Sequence, residues 1–558
     1  MVSMGQWPHW TEQFRGERPS DDPGKLEVWG YTSRPSYAPG ELLELHVSTT
    51  AENFSVEIYR DGASLELVHR EEGIPGAFHP TPADAYATGC DWPVAQLIEI
   101  PEGWRSGGYV LVFTASDERG SVMQDGFFIV RAPRPAEHGT AFVVATYTWQ
   151  EYNDWGGACG YASADGFAAP RPGVEDDHGS ARGTSGFAPR LAFQRPWGRG
   201  LIRIPRGAPR IPVRGAPEIG WAPRYEVAEW AWANGFSVWS MSAGWARFDG
   251  LFARWAERNG YSLDFLSQWD LDRSPDALDG YDCVVTVGHD EYWTAAGRAV
   301  LDRFVEAGGG YARLAGNIFW QVRLEDDGGT QVCYKYVPED DPLGDSSDVG
   351  LRTGPFEYSG IARPPVTTFG ANGGRGVYAK YGGMSPRGVG GFVVYRNDHW
   401  AFAGTDLYYG DVLGADVPLV AYESDGVSYT FRNGLPYPAG DDGSPAELEI
   451  LALTPVSFEE EDHGHPGAVL LVRDADLAVM ARLFFGGDTA ENRERLRAGS
   501  AVITHMPKGA GEVLCCGTTE WPYALDRGEP MVECITRNVL DRFGAHSRFD
   551  APGREETA

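Results

Sequence analysis

The chain has 558 residues, enough for several domains rather than one core. Its 47 Lys and Arg against 79 Asp and Glu leave a formal charge of −32, which argues against nucleic acid or an anionic membrane as partner. A hydrophobic share of 42% excludes general disorder, and no apolar run reaches the ~18 residues of a membrane span.

Arg supplies 43 of the 47 cationic residues, leaving only Lys25, Lys335, Lys380 and Lys508. With abundant Ala, Gly and Asp, this suggests a GC-rich bacterial genome. The seven cysteines (Cys90, Cys159, Cys283, Cys333, Cys515, Cys516 and Cys534) are odd in number and form no CxxC pair. Neither a disulfide scaffold nor a thiolate zinc site is indicated, and a reduced compartment is expected. The stretch MVSMGQWPHWTEQF has neither the basic start nor the apolar core of a signal peptide, so the expected location is cytoplasmic.

Residues 1–23 read as an N-terminal extension. From 24 to 133, short alternating runs (Leu26–Trp29, Leu43–Ser48, Phe54–Tyr59, Tyr109–Thr114, Gly126–Val130) separated by Pro39-Gly40 and Asp61-Gly62 predict an immunoglobulin-like β-sandwich. Such a unit is expected to pack or dock rather than catalyse. Arg131 to Gly139 reads as a linker.

Residues 140–545 read as an α/β catalytic domain. Ala141–Thr146 predicts a strand, and Tyr147-Thr-Trp-Gln-Glu-Tyr-Asn-Asp-Trp-Gly-Gly157 a loop. A Gly/Pro-rich region to about Pro223 predicts further loop, of the functional kind. Helices are predicted over Glu226–Asn234 and Phe248–Asn259, each stopped by Asn-Gly and followed by a strand, Phe236–Trp239 and Tyr261–Leu266.

Tyr281–Val287 is a short apolar, β-branched run that predicts a buried strand. Gly288-His-Asp-Glu-Tyr-Trp-Thr294 follows, then a helix over Ala295–Ala307 stopped by Gly308-Gly309-Gly310. Tyr311–Leu314 is the next strand. This β-α-β alternation predicts a Rossmann-like parallel sheet, with His289, Asp290 and Glu291 at the carboxyl end of a strand, where open α/β sheets bind ligands. The plainer reading makes the run a set of acids favoured by a helix dipole.

Residues 321–440 predict a Gly/aromatic-rich β insertion with strand-like pieces at Gly391–Tyr395 and Trp400–Ala403. The tail predicts strands at Ala468–Val472, Val502–Thr504 and Gly511–Leu514, a helix over Pro530–Phe543, a return onto the central sheet, and disorder over 546–558.

The segment Tyr147–Gly157 together with Tyr161 is the second candidate. Aromatic residues there usually pack, but a tyrosine can ligate a metal as phenolate if the ion lowers its pKa from about 10. Ferric iron would do so, and two phenolates with one carboxylate would neutralise it, leaving a pocket suited to an uncharged substrate. His463-Gly-His465, beside Glu459–Asp462, reads as a solvated acidic loop. Arg323 reads as structural, paired with acidic surroundings.

Trp149-Gln-Glu-Tyr-Asn-Asp-Trp-Gly-Gly157, Gly288-His-Asp-Glu-Tyr-Trp293, Gly316-Asn-Ile-Phe-Trp320, His399-Trp-Ala-Phe-Ala-Gly-Thr405, Ala421-Tyr-Glu-Ser-Asp-Gly426 and Thr519-Glu-Trp521 form an ordered series. From about 140 to 545 the chain resembles the C-terminal domain of the N,N-dimethylformamidase large (beta) subunit family, in its shorter bacterial form. The resemblance implies a mononuclear iron, Fe(III), held by Tyr152, Tyr161 and Glu291. In the relatives, Trp-Gly-Gly is followed by a Ser-Leu-Tyr-type segment, whereas here it is followed by Ala158-Cys-Gly-Tyr161. His289, Asn317 and Glu423 match polar groups of the catalytic pocket.

The implied activity is hydrolysis of a small or N-substituted amide by metal-activated water. His289 or Glu423 would act as general base and Asn317 as oxyanion donor. The resemblance also implies a small partner subunit, and a homo-oligomer is expected. Zinc in the same pocket is a further alternative. So is a non-catalytic module in which a sandwich and a degenerate α/β domain grip a sugar or protein. The sheet also resembles class I glutamine amidotransferases, but the chain has no Gly-x-Cys-x-Gly nucleophile elbow.

Overall fold

The computed structural model describes residues 16–20, 22–133, 139–163, 166–167, 186–209, 226–237, 239–376, 390–414, 416–420, 423–457 and 474–544. Most of the N-terminal extension, most of the linker, the His463–His465 loop, the expected strand Ala468–Val472 and the 546–558 tail lie outside these residues. The fold is mixed α/β with several sheets.

The N-terminal part is a two-sheet β-sandwich. Val28–Thr32, Leu42–Thr49 and Val94–Glu99 form one sheet. Ser36–Tyr37, Gly120–Val130, Gly107–Asp117, Asn53–Asp61 and Leu65–Pro75 form the other. Leu45, Val47, Ile58, Leu111 and Phe128 meet between them in one buried core. The run Tyr109–Thr114 is apolar on both faces for a reason visible in the packing. Strand side chains alternate, so Leu111 and Phe113 enter the sandwich while Val110 and Val112 enter the core of the α/β part. Buried polar contacts cross the same junction: Arg60 pairs with Glu257, Arg254 Nη1 donates to Asp61 at 2.6 Å, and Trp245 Nε1 donates to Asp61 at 2.7 Å.

The α/β part is built on a nine-stranded sheet. In spatial order its strands are Leu263–Ser267, Thr140–Val144, Cys283–His289, Gly310–Gly316, Gly511–Cys516, Ala498–Lys508, Glu449–Ser457, Phe392–Val394 and Val412–Leu413. The first five run parallel and the rest pair antiparallel, so the tail does return to the central sheet. Both faces of the parallel half are covered, as such sheets require. Val285, Ala312 and Leu514 pack on the side of Phe252, Ile535 and Val539, whereas Val284, Tyr311 and Val513 pack on the side of Val300, Leu301 and Val305.

Helices form at Glu226–Ala233, Gly250–Arg258 (entered through a π turn, Trp245–Asp249), Ala295–Glu306 and Pro530–Phe543. Three expectations fail. Tyr147–Gly157 is not loop throughout: Thr146–Tyr152 is a helix with every residue buried, and the chain reverses only at Gly156 and Gly157, both at positive φ. The described part of Phe236–Trp239 is irregular and turn rather than strand, because its aromatic rings pack elsewhere: Phe236 stacks on Trp230 of the preceding helix and Trp239 leans on the distant Tyr161. Trp400–Phe402 is a 3-10 turn capped by His399, whose ring accepts from Ala401 N–H at 3.2 Å. In the 321–440 stretch the described strands are short and alternate with 3-10 turns. Among the described residues, no helix is long and apolar enough to cross a membrane.

Candidate active site

The candidate residues converge from several segments at the carboxyl end of the parallel strands. The strand Cys283–His289 carries His289 as its last residue. Gly288 before it has φ +67°, a left-handed conformation that a Cβ would disfavour. A Cβ there would also lie 2.4 Å from Phe248 Cβ.

Period-two alternation then separates the three neighbours. His289 and Glu291 enter the site. Asp290 turns away and accepts from Trp293 Nε1 at 2.8 Å and Gln268 Nε2 at 3.2 Å. The next helix is capped by Thr294, whose side chain accepts from Gly297 N–H, so His-Asp-Glu is not a first-turn acid cluster. A short strand, Tyr292–Thr294, intervenes and pairs with Trp320–Val322.

Tyr152 ends the fully buried helix Thr146–Tyr152. Gly156 at φ +94° and Gly157 at φ +101° reverse the chain, and Gly160 N–H returns to the Glu151 carbonyl at 2.9 Å. That reversal stacks Tyr161 beside Tyr152, with ring centroids 4.5 Å apart. Glu291 is fixed by its own backbone: its N–H donates to Thr148 Oγ1 at 2.9 Å, and its carbonyl accepts from Phe319 and Trp320 N–H at 3.0 Å.

As phenols, both tyrosines donate to the Glu291 carboxylate, Tyr152 at 3.2 Å and Tyr161 at 2.9 and 2.8 Å. Burial, then the charge of Glu291, holds the Tyr161 hydroxyl well above its ordinary range. Only a cation at the meeting point would favour the phenolate there. The set is therefore three converging hard oxygen donors, fit for a hard cation.

His289 joins this set to the proton-transfer candidates. Its Nδ1 faces the Ser242 carbonyl at 2.8 Å, which fixes a proton on that nitrogen and aims Nε2 inward. Nε2 lies 2.8 Å from Glu423 Oε2 and 3.2 Å from Glu291 Oε2. Burial works against the charged ring, but Glu423 and Glu291 outweigh it and raise His289 to about 10. Asn317 follows the strand Gly310–Gly316 at φ +67°. Its Nδ2 donates to Glu423 Oε2 at 2.8 Å, and among the described residues its buried Oδ1 has no hydrogen-bond partner. Glu423 is clasped by Thr519, whose N–H donates to the Glu423 carbonyl at 3.1 Å, which gives the Thr519-Glu-Trp521 motif a structural purpose. Tyr152, Tyr161, Glu291, His289, Asn317 and Glu423 thus form one connected cluster.

The sequence reading missed several members of this surround. Trp320 Nε1 donates to Glu291 Oε1 at 2.7 Å, and the Tyr292 hydroxyl meets that of Tyr161 at 2.5 Å. Buried Lys335 places Nζ 3.3 Å from the Tyr161 ring centroid and pairs with Glu151 at 3.1 Å. A lysine among only four, set in an aromatic-rich stretch, was the available signal. Trp239 and Phe248 pack against Tyr161 and His289, with centroids 5.3 and 5.8 Å apart respectively. Arg323 is structural as read, bound to Asp341 and Glu325.

No curated protein matches the chain. The family model described as N,N-dimethylformamidase beta subunit-like, C-terminal, matches residues 55–534, beginning inside the sandwich and covering most of the sequence. The chain belongs to the N,N-dimethylformamidase beta subunit-like family.

Proposed function

We propose that this protein is an iron-dependent amidohydrolase that cleaves the C–N bond of a small or N-substituted amide. The observation that carries the reading is the convergence of Tyr152, Tyr161 and Glu291 within hydrogen-bond distance, joined through His289 to Glu423 and Asn317. Tyr152, Tyr161 and Glu291 would hold a mononuclear Fe(III), matched in charge to two phenolates and a carboxylate. When bound, iron supplies Lewis acidity that polarises an amide carbonyl and eases deprotonation of water.

The chain's own groups divide the proton work. Glu423 accepts the proton of the attacking water as its oxygen adds to the carbonyl carbon. His289, held protonated by its two carboxylate neighbours, gives its Nε2 proton to the departing amine nitrogen as the C–N bond breaks. Glu423 then returns its proton to His289, so the products are a carboxylic acid and a free amine. Asn317 positions Glu423 through its Nδ2 and offers a buried polar group beside the reacting centre. Trp239 and Phe248 exclude bulk water and favour an uncharged substrate. With this reading go an immunoglobulin-like sandwich, a Rossmann-like sheet, a small partner subunit and a homo-oligomer.

The test is a visible spectrum with elemental analysis and a screen of small amides. Wild type should carry about one iron per chain and a tyrosinate charge-transfer band. Tyr152→Phe and Glu291→Gln should lose iron, band and hydrolysis while keeping the wild-type circular dichroism. A protein that stays colourless and inactive after iron reconstitution would instead favour the non-catalytic binding module.

A further inference from the structure

A second cluster of ligand-type side chains lies at the opposite end of the central sheet. His505 and Glu449 sit directly across from each other on antiparallel strands. His399, from the motif His399–Thr405 that the candidate active site leaves unused, closes over them. His399 Nε2 lies 3.3 Å from His505 Nδ1 and 4.0 Å from Glu449 Oε2, and His505 Nδ1 lies 3.6 Å from that oxygen. Bonds of about 2.0–2.1 Å to a tetrahedral zinc ion imply ligand separations of about 3.3 Å, so the three atoms stand near that spacing without an ion between them. We propose that His399, Glu449 and His505 form a second metal site, for a divalent transition ion of the zinc type, independent of the tyrosine cluster and of its proposed function.

The surroundings carry the features of such a site. His505 Nε2 lies 2.8 Å from Glu512 Oε2, so its proton goes to that carboxylate and the Nδ1 lone pair faces the cluster. Glu512 is itself held by Arg542 at 2.9 and 3.2 Å. A carboxylate that orients a histidine from behind is the usual outer support of a metal-bound imidazole. Both rings are largely buried, while Glu449 is half exposed and provides an entry path. His399 now accepts from Ala401 N–H on Nδ1, which leaves its proton on Nε2 toward His505. Ion capture moves that proton to Nδ1 and breaks the 3.2 Å bond to Ala401. Two imidazoles and one carboxylate favour zinc over magnesium or calcium. The ion would clamp the 3-10 turn to two strands and, through Glu512, to the C-terminal helix.

Tag-free protein, stripped with a chelator, is titrated with Zn2+ by calorimetry and with Co2+ as a spectroscopic probe. Wild type and Glu291→Gln should both bind one Zn2+ equivalent at this site, with four-coordinate Co2+ absorption, and Zn2+ should raise their melting temperature. Glu512→Gln should weaken that equivalent by about 10–100-fold. Exposed Glu449→Gln should weaken it at least as much, and His505→Gln should abolish it. Absence of such an equivalent in Glu291→Gln, or equal Zn2+ binding by Glu291→Gln with and without Glu449→Gln and His505→Gln, overturns the proposal.

Discussion

Gly288 shows how one residue sets the site. It must adopt φ +67°, and a methyl group there meets Phe248 Cβ, which is bonded directly to the backbone and cannot swing aside. Gly288→Ala is expected to cost about 1–3 kcal/mol, combining backbone strain and the clash. It should also displace His289 and reduce both iron content and hydrolysis. Denaturant melts with elemental analysis on the same preparation check both effects; a variant of unchanged stability and activity would remove Gly288 from the account. At this scale the sequence was informative where residue type met position. His289 and Glu291 were legible as polar groups at a strand's end, whereas the residues alone marked only the aromatic segment Tyr147–Gly157 with Tyr161, and the pair Tyr152 and Tyr161 came from the resemblance. Trp320, Tyr292 and Lys335 were not legible, because their contacts depend on a chain reversal and on a neighbouring sheet that local sequence does not encode.

Elements were legible where composition allowed one solution. The β-branched run ending at Val287 could only be a buried strand, and Ala295–Glu306 has helical spacing between clear stops. Phe236–Trp239 and Trp400–Ala403 misled because aromatic residues suit strands and tight turns alike, and ring packing decided. Asp249 links two elements: it accepts from Ala145 N–H at 3.3 Å at the end of one strand and from Trp149 Nε1 at 3.1 Å, while standing at the head of the helix Gly250–Arg258. Burial pushes its carboxyl from 3.8 up to about 7. The unfolded chain then ionises Asp249 from about pH 4, whereas the folded chain keeps the proton to about pH 7. This group therefore removes stability as pH rises from about 4 to 7 and contributes no further slope above that. Asp249→Asn should cancel this contribution. Its stability relative to wild type should climb across that window and level off on either side, read from urea melts at a series of pH values.

At the scale of the molecule, sandwich and α/β part share a junction closed by the buried pair Arg60–Glu257. Glu257→Ala leaves Arg60 buried beside the Ser106 carbonyl alone, at an expected cost of about 3–5 kcal/mol. The variant should unfold in two steps, the sandwich separating first, where the wild type unfolds in one; calorimetry distinguishes the two. A two-sheet unit followed by a parallel sheet was readable from strand spacing, but its fusion to the core of the α/β part was not. The doubly apolar run Tyr109–Thr114 was the sign.

The strand Gly511–Cys516 lies in the middle of the nine, between Gly310–Gly316 and Ala498–Lys508. It is also the last strand of the sheet to leave the ribosome. Until it does, the parallel half ends on the bare edge of Gly310–Gly316, the antiparallel half has nothing to join, and Thr519 cannot clasp Glu423. Synthesis can complete the sandwich early, but the candidate site is assembled only after Thr519 has been made. A metal held as proposed by Tyr152, Tyr161 and Glu291 would therefore be loaded only once this strand and Thr519 have been made, not onto a shorter nascent chain.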